Sequence, residues 1–364
     1  MRIRLSILAT VLFIGLAAHQ LVKPQAIPAQ EQEPPASSAT EPGPPRVTDP
    51  SYKIDATLVN VDVLVTDEDG RVLNGLKRGN FRVLDNGSPQ KVLDFEPTTA
   101  PITIVMLMEY SATSYGYFAG KAADWGTSFL DRLEPRDWIA LVTFDLQSKV
   151  QVDFTHRQFE VRDAIATLGF PQFGEVNLYD ALIDTLDKLD GVRGRKSILL
   201  LATGLNSFSA ATQDEVSRRL KETDTTIFCV GLAEAEYMQY GGSSMSYLQG
   251  KNALSGFAKQ TGGLAIFPRF EGELPDIFRS VVGFLRNEYT LTFRPSMESR
   301  DGLYHRLKVE IVGPDGKPLK VTNEKDKRRK IEVYAREGYI APKKESSTSA
   351  RQPQPVPTRP AGTA

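Results

Sequence analysis

Three stretches in the middle of the chain are almost continuously apolar: Ile102–Met108, Ser197–Ala202 and Thr226–Leu232. A strand without an alternating polar face has no side to turn to water, so helices must cover both of its faces. The segments between have helical spacing. Phe118, Ala122, Trp125, Phe129 and Leu133 follow the first run at steps of three and four, which places them on one helix face. Trp138–Phe144 reads as a further strand. Asn177, with Asp180 three residues on, caps a helix whose stripe is Leu178, Ala181, Leu182, Leu186 and Leu189. Val216 and Leu220 mark another helix, and Leu254, Phe257 and Ala258 a third, ended by Thr261-Gly262-Gly263. Leu264–Phe267 is one more strand, and Ile277, Val281, Phe284 and Leu285 a last helix. Alternation of this length predicts an α/β domain over residues 98–286: a doubly wound, mostly parallel, Rossmann-like sheet.

The period changes to two on either side. Val59, Val61, Val63 and Val65 alternate with Asn60, Asp62 and Leu64, mostly a strand pattern, then Asp67-Glu68-Asp69-Gly70 turns the chain. That cluster lacks the later ligands and the distal Glu of a calcium loop, so it reads as a plain turn. Asp85-Asn86-Gly87 after Phe81–Leu84 signals a hairpin. After Arg286, Tyr289, Leu291 and Phe293 alternate, as do Leu307, Val309 and Ile311, and Lys330–Tyr334 is a last strand. A small sheet with one apolar face must cover it. The flanks 51–97 and 287–341 are therefore expected to meet in one β-sandwich, with the α/β domain inserted into it.

The ends differ in kind. Arg2 and Arg4 precede the uncharged run Leu5–Ala18, which is short for a bilayer span of about 20 residues. Residues 1–23 read as a secretory signal peptide with small residues at Gly15-Leu16-Ala17, an uncleaved anchor being the alternative. The expected location is the periplasm, the cell envelope or the exterior, with membrane contact only through an uncleaved signal. Residues 24–50 are rich in proline and residues 342–364 lack an apolar period, so both read as disordered. With 44 basic and 45 acidic residues, nothing favours a nucleic-acid partner. The basic run Lys325, Lys327, Arg328, Arg329 and Lys330 reads as a solvated hairpin tip. Cys229 is the sole cysteine and sits in an apolar run, so it reads as a buried, inert thiol.

In a doubly wound sheet, ligands sit beyond the carboxyl ends of the strands. Three polar loops fall there: Glu109-Tyr110-Ser111-Ala112-Thr113-Ser114, Gly174-Glu175-Val176-Asn177, and Thr203-Gly204-Leu205-Asn206-Ser207. Together with the helix start Leu178-Tyr179-Asp180-Ala181-Leu182 and the order of elements, they resemble a von Willebrand factor type A (VWA) domain. The flanking Val65–Gly70, Asn80-Phe81-Arg82-Val83 and Arg336-Glu337-Gly338-Tyr339 resemble a bacterial group of exported VWA-related proteins abundant in acidobacteria. That resemblance spans about residues 52–341. It implies a metal-ion-dependent adhesion site, in which Asp-x-Ser-x-Ser, a Thr and a second Asp hold Mg²⁺ and leave one position for a partner's carboxylate. Here Glu109 stands for the first Asp, Ser111 is kept and Thr113 replaces the second Ser. Val176 falls where the Thr belongs, and Thr203 where the second Asp belongs. The expectation is a degenerate site with no cofactor, Mg²⁺ or another divalent cation at Glu109, Ser111 and Thr113 being the alternative.

No enzyme is expected. His19, His156 and His305 lie in separate segments, and no nucleophile elbow, zinc-binding helix or phosphate loop is present. The functional expectation is an adhesion-type module that docks a protein partner, with Tyr110, Ser114, Glu175, Asn206 and Tyr240 on the contact loops. A structural spacer in an envelope assembly is the second reading, and an uncharacterised hydrolase the remote one.

Overall fold

The computed structural model describes residues 43–46, 58–97, 100–112, 114, 128–232, 244–296, 299–322, 328–341 and 343. The expected signal peptide, nearly all of the expected linker and tail, Thr113 and Tyr240 lie outside the described residues. The described residues belong to one compact unit beginning at Pro42. In chain order the strands are β1 (Val59–Asp67), β2 (Phe81–Asp85), β3 (Ser88–Gln90), β4 (Val92–Pro97), β5 (Ile102–Glu109), β6 (Trp138–Phe144), β7 (Ser148–Thr155), β8 (Arg195–Ala202), β9 (Thr226–Gly231), β10 (Ala265–Ile266), β11 (Tyr289–Phe293), β12 (Tyr304–Ile311), β13 (Val321–Thr322), β14 (Arg328–Arg329), β15 (Ile331–Ala335) and β16 (Gly338–Ile340). The helices are α1 (Gln158–Ala166), α2 (Leu178–Leu189), α3 (Gln213–Glu222), α4 (Ser244–Thr261) and α5 (Leu274–Arg286). No helix among the described residues is long and apolar enough to cross a membrane.

The central sheet runs β10-β9-β8-β5-β6-β7. All neighbours are parallel except β6 and β7. Successive residues of β5 point to opposite faces, and each face has its own core. Ile104, Met106 and Met108 pack with Val161 and Ile165 of α1 and with Ile277, Phe278 and Val281 of α5. Val105 and Leu107 pack with Leu178, Leu182 and Leu186 of α2, Val216 and Leu220 of α3, and Leu254 and Phe257 of α4. The α2 stripe read from the sequence is the buried face of that helix. Cys229 is buried in this second core, and burial pushes its thiol pKa up, so it is not a nucleophile at neutral pH.

β7 and α1 have no counterpart in the sequence reading. β7 is an antiparallel edge strand that buries only Phe154 and Thr155, and α1 buries only Val161 and Ile165.

The flanks build two antiparallel four-stranded sheets, β15-β1-β11-β4 and β16-β12-β2-β3. Each takes strands from both sides of the α/β region. Val61 lies opposite Leu291, Val65 opposite Val333, and Val83 opposite Val309. Their apolar residues form a single cluster that includes Val61, Val63, Val83, Leu291, Phe293 and Val309. The turn from β2 to β3 has positive φ at both Asn86 and Gly87, as a two-residue hairpin requires. Leu64 on β1 packs into the core that α5 covers, joining flank to α/β sheet. Among the described residues of the basic run, Arg329 departs from the solvated reading. Arg329 is bound to Asp67 and Asp69, because those turn carboxylates face β14 across the fold. The same turn is closed by Asp67 Oδ1, which accepts the amides of Asp69 and Arg71 at 2.9 and 3.0 Å.

Candidate functional site

β5 lies between β6 and β8. The chain builds outward through β6 and β7 on one side, then returns to build β8, β9 and β10 on the other. The carboxyl ends of β5 and β8 therefore diverge, and the crevice between them is the switch point of the sheet.

Glu109, the last residue of β5, is completely buried there. Its Oε2 accepts the backbone N–H and the hydroxyl of Thr203, both at 2.8 Å. Its Oε1 accepts the hydroxyl of Ser111 at 3.2 Å. Ser111 and Ser114 are buried and reciprocal: the Ser114 N–H donates to Ser111 Oγ at 3.2 Å, and the Ser111 N–H donates to Ser114 Oγ at 3.3 Å. Thr203 Oγ1 also accepts the Leu205 N–H at 3.3 Å. Both carboxyl oxygens of Glu109 thus have hydrogen-bond partners away from water.

The neighbouring loops are fixed by backbone bonds. The Ala112 N–H donates to Phe173 O at 2.7 Å, the Tyr110 N–H to Phe144 O at 2.7 Å, and the Asn177 N–H to Asp145 O at 2.8 Å. Val176 O accepts from Ser207 and Phe208, while Ser207 Oγ accepts the Val176 N–H at 2.8 Å. Gly204 has φ of +82° and abuts Gly250 of α4, where any Cβ would lie 2.3 Å from the Gly250 carbonyl oxygen. Only glycine fits both demands.

Of the residues singled out from sequence, Glu109, Ser111, Ser114 and Thr203 come together. The Val176 side chain lies in the apolar core beside Leu178. Tyr110 is half-buried and donates its hydroxyl to Gly169 O at 2.8 Å. Asn206 accepts the Tyr179 N–H at 3.3 Å, so it caps α2 from another loop. Ser209 shares that task at 3.1 Å, and Asp180 in turn accepts the amides of Ala210 and Ala211, each at 2.8 Å. Sequence reading missed Ser209 and this use of Asp180. Glu175 is exposed. Among the described residues, no group of three or more His, Cys, Asp or Glu is placed to hold a metal ion.

The two described histidines lie elsewhere. His156 lies against Trp138 at the start of β6 with the rings tilted by 37°, and its Nδ1 is 2.9 Å from Asp137 O. His305 sits in the flanking sheet, Nδ1 2.8 Å from Asp85 and Nε2 3.2 Å from Asp301, with the Tyr339 hydroxyl donating to Asp85 at 2.9 Å. These contacts hold the His305 pKa above its ordinary value against the opposing effect of burial.

A cleft of about 1200 Å³ opens at the other end of the sheet, lined by Asp62, Arg195, Lys196, Asp224 and Arg336 among others. Its charges are largely engaged in structure. Arg195 binds Glu288 and Leu285 O, Lys196 binds Asp224 at 2.7 Å, and Arg336 donates to Gly338 O at 2.7 Å. It holds no paired acid, base and nucleophile, and the switch point is the better candidate.

No protein-family model matches the chain, and no curated protein does. Among solved structures it is similar to a von Willebrand factor type A protein from Catenulispora acidiphila, at 12% identity and TM-score 0.41, over 73% of this chain and 74% of that one. It is similar to the vWF domain of the type V pili tip protein Mfa5 from Porphyromonas gingivalis, at 13% identity and TM-score 0.40, over 52% of this chain and 96% of that one. It is similar to proximal thread matrix protein 1 of the mussel byssus, at 15% identity and TM-score 0.40, over 53% of this chain. The chain spans only half the length of that mussel protein. These likenesses are distant, and none says what this chain does.

Proposed function

We propose that the chain is an exported, non-enzymatic protein-interaction module of the VWA type. In this reading the α/β domain (98–286) is inserted into a β-sandwich formed by 51–97 and 287–341, and it docks a partner through the loops above the switch point. The carrying observation is the switch point between β5 and β8, where three loops are locked together over a buried polar cluster. Both described histidines lie away from it, which supports a binding role over an acid–base or nucleophilic one.

The residues present do not fit a Mg²⁺ site. A hard cation needs an octahedron of oxygens and negative charge to offset its dehydration. Here Glu109 already accepts three hydrogen bonds, and the side chain at 176 is an apolar core residue. The adhesion site is degenerate in this proposal, and the buried carboxylate serves as an internal acceptor. Calorimetric titration of Mg²⁺, Mn²⁺ and Ca²⁺ into the full chain should show no saturable binding tighter than about millimolar. The triple variant Glu109→Asp, Val176→Thr, Thr203→Asp should acquire it. Micromolar affinity in the natural chain would overturn the degenerate-site reading. For docking itself, the chain on beads should capture a partner from an envelope extract, with capture lost in Phe173→Ser/Phe208→Ser. Capture that survives this variant would favour the spacer reading.

A further inference from the structure

The loop face around the switch point presents apolar side chains to solvent. Phe173 is 40% exposed, Phe208 63%, Phe170 82%, Met245 63% and Leu248 49%. They stand on the loops 168–177 and 203–212 and on the first turns of α4. The first of these loops is tied to residue 112 through Phe173 O, and the second to Val176 O through the amides of Ser207 and Phe208. Gly204 in backbone contact with Gly250 ties the second loop to α4. The aromatic groups are thus held on a fixed frame, and a partner would not have to order them. Pre-ordered aromatic area is what makes a contact surface strong.

The charge pattern of the same loops has one sign. Residues 110–112, 145–147, 168–177, 203–212 and 244–250 contain Asp145 and Glu175 but neither lysine nor arginine, in a chain that has 44 basic residues. The nearest bases along the chain are Lys149, on β7, and Lys251. Lys251 is turned onto its own helix, bonded to the Tyr247 hydroxyl at 2.9 Å and lying over the Phe267 ring. Among the described residues the apolar face is edged by carboxylates alone, and such an edge attracts positive charge and repels negative charge.

We propose that this face docks a partner segment carrying lysine or arginine beside aliphatic or aromatic side chains. A site built on a bound cation would recognise a partner's carboxylate; a face whose described residues carry carboxylates and no base selects the opposite sign. The proposal rests on the interaction-module reading and adds the chemistry of the partner.

The test pans a displayed library of random peptides, about twelve residues long, against the full chain and three variants. Phe208→Ser and Glu175→Lys alter the face. Leu303→Ser replaces a residue that is 64% exposed on the flank and serves as the control. Circular dichroism of each variant checks the fold, and Glu175→Lys alone decides the matter if Phe208→Ser does not fold. The expected result is enrichment of peptides that combine Lys or Arg with Leu, Phe or Trp. That enrichment should fall about tenfold in each face variant, as for a central contact, and stay unchanged in the control. Acidic peptides that depend on Phe208 would overturn the assigned partner chemistry while leaving the docking reading in place. Peptides whose enrichment survives both face variants, or no enrichment at all, would overturn the docking face as well.

Discussion

Two buried glutamates at opposite ends of the same sheet are held in different ways. At the carboxyl ends of β5 and β8, Glu109 accepts from an amide and two hydroxyls. At the amino end of β8, Glu288 is bound by the guanidinium of Arg195, which also donates to Leu285 O at 2.8 Å. The contacts of the first that lie among the described residues are dipoles, drawn from the chain just after β5 and just after β8. The second uses a full charge, and it fastens the sheet to the junction where α5 leads into the flank. Burial still pushes the Glu288 pKa up to about 7, partly offset by Arg195. One end of the sheet thus joins two parts of the molecule, while the other leaves side chains such as Phe173 and Phe208 exposed.

The largest expected effect comes from breaking the charged end. Arg195→Met leaves Glu288 buried without its guanidinium, and removing one partner of a buried pair costs about 3–5 kcal/mol. Urea unfolding of the full chain measures this; a loss below about 1 kcal/mol would mean the pair is effectively solvated.

Glu109→Gln should cost less, about 1–3 kcal/mol, because the amide group sets an N–H against a donor where an oxygen accepted. Thr203→Val removes one of the donors and should destabilise in the same direction. If Glu109→Gln is neutral in urea unfolding while the metal titration turns positive, Glu109 is a ligand and the internal-acceptor account fails.

The smallest effect is a pH slope from the flank. His305, held between Asp85 and Asp301, has a raised pKa in the folded state. Its contribution is complete below the unfolded histidine value of about 6.5 and is lost as pH rises through the folded value. Glu288, also raised, acts in the same sense between about 4.5 and 7. Melting temperature should therefore decline from mildly acidic to alkaline pH, and His305→Gln should remove the part of that decline above about pH 6.5. An unchanged profile in His305→Gln would show that the histidine carries no charge in the fold.

The strands of the central sheet were legible because burial on both faces leaves an unbroken apolar run, as in Ile102–Met108 and Ser197–Ala202. The α2 stripe was legible for the matching reason at helical period. β7 was harder to see. Lys149, Gln151 and Asp153 alternate with Val150, Val152 and Phe154, yet Val150 is itself 48% exposed, so the alternation does not announce a core. α1 buries two side chains, too few for a stripe. At the site, the polar character of the three loops was visible in the sequence. The capping of α2 by Asn206 and Ser209, from a loop about thirty residues further along the chain, was not.

The order and type of most elements were legible from the chain alone, as was the identity of the groups at the sheet's carboxyl end: two glutamates, several hydroxyls and a valine at 176. Local periodicity and side-chain chemistry suffice for that, since both are properties of neighbours along the chain. What Glu109 does with its lone pairs was decided only by the tertiary structure. Its partner Thr203 is separated from it by 94 positions, and the parallel pairing of β5 with β8 brings the two within 2.8 Å. A buried carboxylate must find donors or a cation, and which of the two it finds depends on what the fold sets opposite it.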